Sequence, residues 1–534
     1  MMISLVYLAS SLFSLLVYRL VSTSLRQRRF RTFAKANGCE EPYNDDQGVL
    51  PWNIERMYGI VTARRKGKEP LDDYFTSPLL AHPTLQRTGL GGKKDLETIE
   101  PENIKAIFAT KFNDWVIGDF RQEAFRPVFG TNIINSDGAS WEHSRAMFRP
   151  QFSRELINNL EGTEQSVSTL FEAIGPVDGK GWTEMKDMLP LFCHFVMDNS
   201  TEFLFGESVG AQRAYMQPNA GSGQANPETR ELGDLAGGKE YAEAFDICSY
   251  YMVLRIRLQA FIRFGDSKEF RQAIETVRRV SGHYVRQALA AKRDDRKGRR
   301  FDLLSNLAEH TRDVTELEDQ TLGILFASRD TTSFLLVWTL LLLGQHPEVF
   351  RKLRTIVLET FPQPLGEVLD SAQLKACRYL QHVLRESLRV YQVAPLTSRV
   401  AVRDTVLPVG GGRDGSKPVA VRKGQQVLLN FYAMHRRKDI WGEDAEEFVP
   451  ERWEAPKQGR ALGGFTPFGA GPRTCLGQQY ALTEAAYCLV RLLQRYDAIE
   501  LDPDSAAAKR ERIKKNIGAT MAPLELRLRL HEVS

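Results

Sequence analysis

The chain has 534 residues, of which 43% are hydrophobic and 26% are charged, an ordinary composition for a globular protein with a large core. Lys and Arg number 71 against 67 Asp and Glu, so no basic tail points to a nucleic-acid partner, and the mild positive excess fits a membrane surface or an acidic partner. Six widely spaced cysteines are typical of neither a disulfide framework nor a zinc site, and they favour a reducing compartment.

The chain begins with an uncharged apolar run, residues 3–18, that is followed by basic residues such as Arg26 and Arg31. A cleaved signal peptide carries its positive charge before the apolar run, whereas here the charge follows it. This order predicts a transmembrane signal anchor with its basic flank over residues 1–35 and one cytosolic domain over residues 36–534. A cleaved secretory signal is the alternative.

Helical patterns begin at residues 100–112, where Pro101 occupies the first position, a place that proline favours. Further on, Trp141 and Arg145 are four residues apart, so a helix would place both side chains on one face. Such a pair is either a surface cation–π contact or a site for a carboxylate, which arginine binds well.

The middle of the chain alternates between loop and helix patterns. Residues 207–240 are rich in Gly, Pro and Asn and predict a surface insertion. Residues 241–264 and 267–293 predict helices, and the charged run 293–300 predicts a solvated loop.

Residues 315–344 predict the longest helix. Thr315 and Glu318 have the spacing of a capping box. Residues 334–343 are apolar on nearly every side, which indicates a helix that runs through the core rather than a second membrane span.

Inside this helix lie Asp330 and Thr331, which are unfavourable in a buried helix. One interpretation is an acid held by structural hydrogen bonds. The other is a proton relay, in which Thr331 interrupts the backbone hydrogen bonds of the helix and holds water while Asp330 supplies protons.

The next third of the chain combines a helix with short strands. Residues 371–390 predict one amphipathic helix that ends with the pair Glu386 and Arg389, and Arg452 would join that pair in a buried cluster with a structural role. Residues 400–407, 419–421 and 426–429 predict strands, as does the alternation of Leu with charged residues over 524–530. The fold class is therefore mainly α with a minor β portion.

The last motif is a loop rich in glycine, residues 468–477, that contains Cys475. Gly469, Gly471 and Gly477 allow positive φ angles, and a helical pattern starts directly after the loop. We expect a helix amino terminus at Cys475 to lower the pKa of its thiol and stabilise a thiolate. A buried structural cysteine is the alternative.

The spacing Phe-x-x-Gly-x-Arg-x-Cys-x-Gly of this loop resembles the haem-ligand loop of the cytochrome P-450 (haem-thiolate monooxygenase) superfamily. The elements that occur in the order of that superfamily are Trp141/Arg145, Asp330-Thr331, Glu386/Arg389, Pro450-Glu451-Arg452 and the Cys475 loop. Ser328 stands where the superfamily usually has glycine. The resemblance covers essentially the whole chain after the predicted anchor.

The resemblance implies a cytochrome P-450 fold with haem b held by the Cys475 thiolate, which favours O–O bond cleavage. It implies that Trp141, Arg145, Arg399 and Arg473 meet the haem propionates, that Phe468 contacts the haem, and that Asp330 and Thr331 serve catalysis. It also implies electrons from NADPH through a separate NADPH–cytochrome P-450 reductase, with cytochrome b5 as a further partner, and a single-pass protein of the endoplasmic reticulum membrane.

Four stretches resemble the fungal family that hydroxylates alkanes and fatty acids: residues 132–154, 198–208, 407–415 and 471–485. The implied activity is hydroxylation of a small hydrophobic, long-chain substrate at its terminal or near-terminal carbon. By the same resemblance, the pocket is formed by residues 115–125, Ile324, 393–396 and 519–521. The alternatives are a fungal tailoring monooxygenase that oxidises a polyketide or fatty-acid-derived metabolite, a haem-thiolate isomerase or dehydratase, and a haem protein without turnover.

Overall fold

Helices dominate the architecture. The structure is a computed structural model that describes residues 2–46, 48, 50–89, 92–152, 160–217, 237–290, 302–454 and 463–533. Its α-helices are α1 Met2–Ala36, α2 Ile54–Thr62, α3 Ser77–Ala81, α4 Pro101–Lys105, α5 Asp119–Phe129, α6 Gly138–Phe148, α7 Glu161–Ile174, α8 Met188–Phe205, α9 Ala211–Met216, α10 Gly238–Leu258, α11 Lys268–Ala290, α12 Leu303–Leu307, α13 Val314–Gln345, α14 Pro347–Thr360, α15 Ser371–Ala376, α16 Arg378–Val390, α17 Phe431–Met434, α18 Lys438–Trp441 and α19 Gln478–Arg495.

The strands form small sheets beside the helices. They are β1 Tyr43–Asn44, β2 Thr84–Thr88, β3 Lys94–Thr98, β4 Trp115–Val116, β5 Lys186–Asp187, β6 Leu396–Ala401, β7 Thr405–Gly411, β8 Lys417–Val421, β9 Gln426–Asn430, β10 Tyr496–Leu501, β11 Lys515–Ile517, β12 Met521–Pro523 and β13 Arg527–Glu532. One sheet has the order β1-β2-β3-β9-β6-β4, a second has β10-β13-β5, and β7-β8 and β11-β12 form hairpins. The pairs β1–β2 and β3–β9 are parallel. The mainly helical fold class with a minor β portion is confirmed.

Helix α13 crosses the core, as its sequence predicts. Nearly every residue from Leu335 to Leu343 is buried, and the indole N–H of the buried Trp338 donates to the Met521 carbonyl at 2.9 Å. The predicted capping box is wrong. The cap is Asp313, whose carboxylate accepts the N–H groups of Thr315 and Glu316, because an aspartate at that position reaches both unpaired donors of the first turn.

Two predicted elements are divided in the structure. The helix predicted over residues 371–390 is split into α15 and α16 at Cys377, whose ψ of 90° is extended rather than helical. The strand predicted over residues 400–407 is split into β6 and β7, because the exposed bend at residues 402–404 separates them. A residue pattern shows which faces of an element are apolar, but it does not show where the backbone bends over one to three residues.

Other predicted helices and strands are present, but they begin or end at different residues. The helix predicted over residues 100–112 is α4 followed by a π-helical turn, Ala106–Thr110. Strand β13 covers the carboxyl half of the alternating segment, whereas Leu524 is exposed and lies outside it. Residues 218–236 of the predicted insertion and the predicted charged loop 293–300 lie outside the described residues.

The amino-terminal helix α1 exposes large apolar side chains, among them Phe13, Leu16 and Leu20. Within the described part of the chain, α13 has the length and mean hydropathy of a membrane span. Most of the apolar stretch of α13 is nevertheless buried inside the protein, so α13 is a core helix. The anchor over residues 1–35 stays a prediction.

A buried ion cluster joins α16 to the segment Pro450–Trp453. Arg389 bonds both carboxylate oxygens of Glu386 at 2.8 and 2.9 Å, and Arg452 bonds Oε1 of Glu386 at 3.2 Å. The indole N–H of Trp453 and the backbone N–H of Val449 donate to the same carboxylate. We call Glu386, Arg389 and Arg452 the Glu386 cluster, and its members lie together as the sequence predicts.

Candidate functional site

The Cys475 loop makes a tight turn against the segment that follows α4. Gly469 and Gly471 have φ angles of 70° and 64°, which glycine adopts without strain. A side chain at Gly471 would collide with the carbonyl oxygen of Phe108. The backbone N–H of Cys475 donates to the Phe468 carbonyl at 3.0 Å. The close approach of the two backbones therefore requires glycine at position 471.

The pKa of the Cys475 thiol is raised, contrary to the expectation from sequence. The side chain is exposed to solvent on one side, yet the surrounding protein desolvates it, and this desolvation raises the pKa more than the Gly477 N–H and the Arg145 cation lower it. Helix α19 begins at Gln478, and the cap residue Gly477, whose φ of −80° does not use the freedom of glycine, lies two residues after Cys475. The N–H of this cap residue reaches the sulfur, yet desolvation outweighs its effect on the pKa.

Trp141 lies between two arginines beside this loop. The guanidinium carbon of Arg473 is 4.3 Å from the centroid of the Trp141 ring, and that of Arg145 is 5.7 Å away. Arg145 also donates two hydrogen bonds of 3.1 Å to the Thr474 carbonyl. Because Thr474 precedes Cys475, these contacts tie α6 directly to the cysteine loop.

Arg399 extends this group of cations. It is 8% exposed, and burial together with the nearby Arg121 and Arg473 lowers its pKa to about 9. Burial lowers the pKa of Arg473 to about 10, with Asp137 opposing that change. We call Arg121, Arg145, Arg399 and Arg473 the arginine cluster. The positive charges of its members repel one another, and burial removes water from around them. Both effects make the charged form of each arginine less favourable.

Asp137 is the acid of this region, and its carboxylate is already occupied. It accepts an Arg473 hydrogen bond at 2.8 Å and further N–H groups from Ile117, Gly118 and Gln122. Cations therefore outnumber acids beside the Cys475 loop. Two carboxylates of a bound group would relieve this excess, since guanidinium binds carboxylate in a matched geometry. The residues present thus fit the two propionates of haem b, with a thiol alongside as the ligand of the iron.

Asp330 and Thr331 lie in an unbroken stretch of α13. The Thr331 hydroxyl donates to the Ala327 carbonyl at 2.7 Å, and the helix continues through both residues. The predicted interruption of the backbone hydrogen bonds is therefore not seen. A threonine hydroxyl that bonds back to the preceding turn satisfies itself without opening the helix.

A charge network connects Asp330 to the protein surface. Arg329 is 3% exposed, contacts Asp330 Oδ1 at 3.3 Å and forms an ion pair with Asp246 of α10. The Asp246 side chain is 57% exposed. Burial raises the pKa of the Asp330 carboxyl, Arg329 lowers it, and Asp246 raises it again. Asp330 is thus a desolvated acid whose proton affinity depends on a surface charge.

Contacts connect the segments predicted to line the pocket to one another or to α13. Strand β4 pairs with β6 through Trp115 and Ala401, and the Met521 N–H donates to the Val393 carbonyl at 2.8 Å. Phe125 of α5 lies 5.6 Å from the ring of Phe326 on α13. Most of the side chains in these segments are apolar, and Arg121 is an exception.

Sequence reasoning missed several residues of this site. Arg121 fell within the predicted pocket but received no separate role, and Asp137 and Asp246 were not assigned. Asp246 stands between apolar neighbours, which is a weak signal, whereas Arg121 and Asp137 lie among other polar residues and gave none. Glu484, nine residues after Cys475, was also missed, although a glutamate on the apolar side of a helix signals a special environment.

Residues 85–528 match the family Cytochrome P450. The cytochrome P450 monooxygenase g430 of a Fusarium species is 38% identical over 504 residues, which span 92% of this chain and 85% of that protein. Cytochrome P450 52A3-A of Candida maltosa is 37% identical over 92% of this chain and 91% of its own length. The crystal structure of the cytochrome P450DA heme domain has a TM-score of 0.69 at 19% identity, covering 93% of this chain and 98% of that one.

Proposed function

The chain belongs to the cytochrome P450 family of monooxygenases, and we propose that it hydroxylates a long-chain fatty acid or alkane at the terminal or a near-terminal carbon. The observations that carry the proposal are the contacts of the Cys475 loop. Arg145 of the arginine cluster donates to the carbonyl of Thr474, next to Cys475, and Leu476 packs against the apolar cluster that contains Leu322 and Leu325 of α13. These contacts support a site that combines the thiol, cations for carboxylates and the Asp330–Thr331 pair.

We propose that the Cys475 sulfur would be the protein ligand of the haem iron. A bound haem thiolate supplies the reductive activation of molecular oxygen, with one oxygen atom going to the substrate and the other to water. Binding to iron requires the thiolate, and the N–H of Gly477 and the Arg145 cation are the groups that favour that form. The raised pKa of the free thiol predicts that haem binding releases a proton.

The other residues bind the haem and deliver protons. Arg399, Arg473, Arg145 and Trp141 would hold the propionates, and Phe468 would pack at the haem edge. Asp330 would hold a proton on its carboxyl and pass it towards the Thr331 hydroxyl, which orients the donor at the oxygen-activation site. Burial keeps the Asp330 pKa above its ordinary range, which favours the protonated form that a proton donor requires.

The substrate assignment rests on the pocket and on the resemblance in residues 132–154 and 471–485. Trp115, Ile117, Phe125, Val393 and Met521 are each buried and apolar, a lining that favours an aliphatic chain over a polar ligand. A tailoring oxidation of a fatty-acid-derived or polyketide metabolite is the second candidate. The similarity to cytochrome P450 monooxygenases of a Fusarium species and of Alternaria solani supports this second candidate.

We propose that the enzyme is held by α1 in the endoplasmic reticulum membrane with its catalytic domain in the cytosol. The exposed apolar side chains of α1 and its basic flank support a single span. NADPH–cytochrome P-450 reductase would supply the electrons and cytochrome b5 would be an auxiliary donor. Retention of the full chain in the membrane after alkaline carbonate extraction is expected, and its release would contradict the anchor.

Product analysis tests the proposed activity. Membranes that contain the full chain and a reductase are supplied with NADPH and a panel of fatty acids, alkanes and aromatic polyketides. We expect terminal or near-terminal alcohols from the long aliphatic chains, in amounts that account for the NADPH consumed. Oxidation of the polyketides alone would favour the tailoring role. Conversion of a substrate without NADPH would point instead to an isomerase or a dehydratase.

A further inference from the structure

A buried carboxyl group connects three helices behind the catalytic segment. Glu484 of α19 is 2% exposed, and its Oε1 accepts a hydrogen bond of 2.9 Å from the amide of Asn199 on α8. Thr332 of α13, which directly follows Asp330 and Thr331, is 1% exposed. Its hydroxyl is close enough to Glu484 to stabilise the charged carboxylate. Three chain segments that are distant in sequence therefore meet at one side chain.

Each side of the contact between Glu484 and Thr332 has a buried oxygen that lacks a hydrogen-bond partner. Glu484 Oε2 and Thr332 Oγ1 are buried, and neither has a partner that meets hydrogen-bond geometry. Unpaired buried polar atoms are costly. A proton on Oε2 would turn the carboxyl into a donor and Thr332 into its acceptor, which satisfies both atoms at once.

The surroundings of Glu484 favour the neutral acid. Within the described ranges, no Lys, Arg or His forms an ion pair with it, and burial raises its pKa to about 8 although Asn199 and Thr332 lower it. The titratable groups that face this region are Tyr480 and Cys488 of α19 and Glu202 of α8. The pKa values of Tyr480 and Cys488 are raised in turn, so both side chains stay neutral, and neither type of side chain can supply a cation.

Thr332 differs from its neighbours on α13. The hydroxyls of other residues bond back to carbonyls of the same helix, namely Thr321, Ser328, Thr331, Ser333 and Thr339. The Thr332 hydroxyl makes no such bond in the described structure. It is therefore available to a partner on another helix, and Glu484 is the group that faces it.

We propose that Glu484 is a positioning residue, a neutral carboxylic acid that fastens Thr332 to Asn199 and so holds the Asp330–Thr331 segment in place. The carboxyl donates to the Thr332 hydroxyl and accepts from the Asn199 amide, so α13 is tied to α8 and α19 at the residue next to the proton-relay pair. The consequence for proton delivery rests on the proposed function of Asp330 and Thr331. The proposed hydrogen bonds of Glu484 do not depend on that function.

The pH dependence of unfolding tests the neutral carboxyl. A carboxyl whose pKa is higher in the folded state stabilises the fold below its unfolded pKa, and this stabilisation is lost as the pH rises through the folded pKa. The wild-type holoenzyme should therefore lose thermal stability between about pH 5 and pH 8 relative to Glu484→Gln, whose amide keeps the shape but does not titrate. At the lower pH the two should unfold at the same temperature.

Glu164 provides the matched control, because it is a buried glutamate beside the same helix that is paired with Arg491 at 2.7 Å. Glu164→Gln removes an ionic partner and should unfold at a lower temperature already at about pH 5. If Glu484→Gln behaves like Glu164→Gln, Glu484 is an anion and the proposal is wrong. Equal pH dependence in Glu484→Gln and the wild type would also overturn it.

Amide hydrogen exchange in residues 325–335 tests the positioning independently of turnover. Glu484→Leu and Thr332→Val should exchange faster than the wild type in this segment, whereas Glu484→Gln should not. Product formed per NADPH should then fall in Glu484→Leu and Thr332→Val while haem content is retained. Unchanged exchange would refute the positioning role. Faster exchange with unchanged coupling in these variants and in Thr331→Ala would refute the relay and leave the hydrogen bonds of Glu484 standing.

Discussion

The Glu386 cluster is a buried group of charges and the arginine cluster is a partly buried one, and they differ in how the charge is balanced. The carboxylate of Glu386 receives N–H donors from Arg389, Arg452, Trp453 and Val449. In the arginine cluster, several guanidinium groups surround Asp137, whose oxygens already accept backbone and side-chain donors. The first group is complete within the protein, and the second has an excess of cations.

This difference separates a structural role from a binding role. A buried ion cluster with every group satisfied holds its elements together, and removal of one member leaves an unpaired buried charge. A buried cluster with excess charge costs stability, and such a cost is typical of a site that serves a ligand. The arginine cluster lies beside a cysteine loop in a haem-binding family, so we assign its excess charge to the propionates.

The largest effect is expected from Glu386→Gln, which leaves Arg389 buried with no anionic partner among the described residues, whereas Arg452 keeps Asp444. Breaking a buried ion cluster in this way costs about 3–5 kcal/mol, a large part of the stability of a typical protein. The variant should accumulate as misfolded protein with little haem, and chemical denaturation of any soluble fraction should show the loss. If haem content and denaturation midpoint equal those of the wild type, the structural role of the Glu386 cluster is contradicted.

Cys475→Ser should abolish activity while leaving the Glu386 cluster intact. We expect the reduced carbon-monoxide complex to lose its red-shifted Soret band, because that band requires a thiolate ligand. Cys39→Ser is the control, since Cys39 is a partly exposed cysteine remote in sequence from the loop. Survival of the band in Cys475→Ser would show that another residue binds the iron.

Arg399→Leu should weaken haem binding without destabilising the apoprotein. Loss of a charge-assisted hydrogen bond to a propionate costs about 1.5–3 kcal/mol, so haem should transfer to apomyoglobin about tenfold or more faster. The apoprotein should be as stable as the wild type or more stable, because a desolvated cation is removed.

Arg351→Leu, at an exposed position of α14, is the control for Arg399→Leu and should leave the transfer rate unchanged. An apoprotein that is destabilised by Arg399→Leu as strongly as by Glu386→Gln would erase the distinction between the two clusters.

Thr331→Ala should keep its haem and divert electrons to peroxide, because the hydroxyl that orients the proton donor is absent. The measurement is peroxide and product formed per NADPH consumed. Thr331→Ser retains a hydroxyl and should recover most of the coupling. Full coupling in Thr331→Ala would refute the proton relay.

The smallest effect is expected from Asp246→Asn, because this acid acts only through Arg329 and Asp330. Its negative charge raises the Asp330 pKa, so its removal lowers that pKa. Asp330 donates only when it is protonated, and the alkaline limb of the kcat profile should move to lower pH. Glu243→Gln on the same exposed face of α10 should leave the profile in place. An unmoved limb in Asp246→Asn would show that Asp330 is independent of the surface charge.

The two clusters also differ in how far the sequence predicted them. Glu386, Arg389 and Arg452 come from motifs in a fixed order, and the structure brings them together. The resemblance implied a propionate role for Trp141, Arg145, Arg399 and Arg473, which the structure places beside the cysteine loop, but Arg121 and Asp137 carried no spacing signal. The thiol pKa was predicted in the wrong direction, because sequence locates a helix terminus without showing how much protein surrounds the sulfur.

By itself, the sequence determined the family, the mainly helical fold class, the buried α13 and the glycine-dependent turn of the cysteine loop. Periodicity, turn residues and motif order are properties of neighbouring residues, so they can be read without coordinates. Only the tertiary structure decided which charges meet: Asp246 with Arg329, Arg121 with Arg399, and Glu484 with Asn199 and Thr332. Desolvation and Coulomb interaction depend on distances between segments that are remote in the chain, and those distances exist only once the chain is folded.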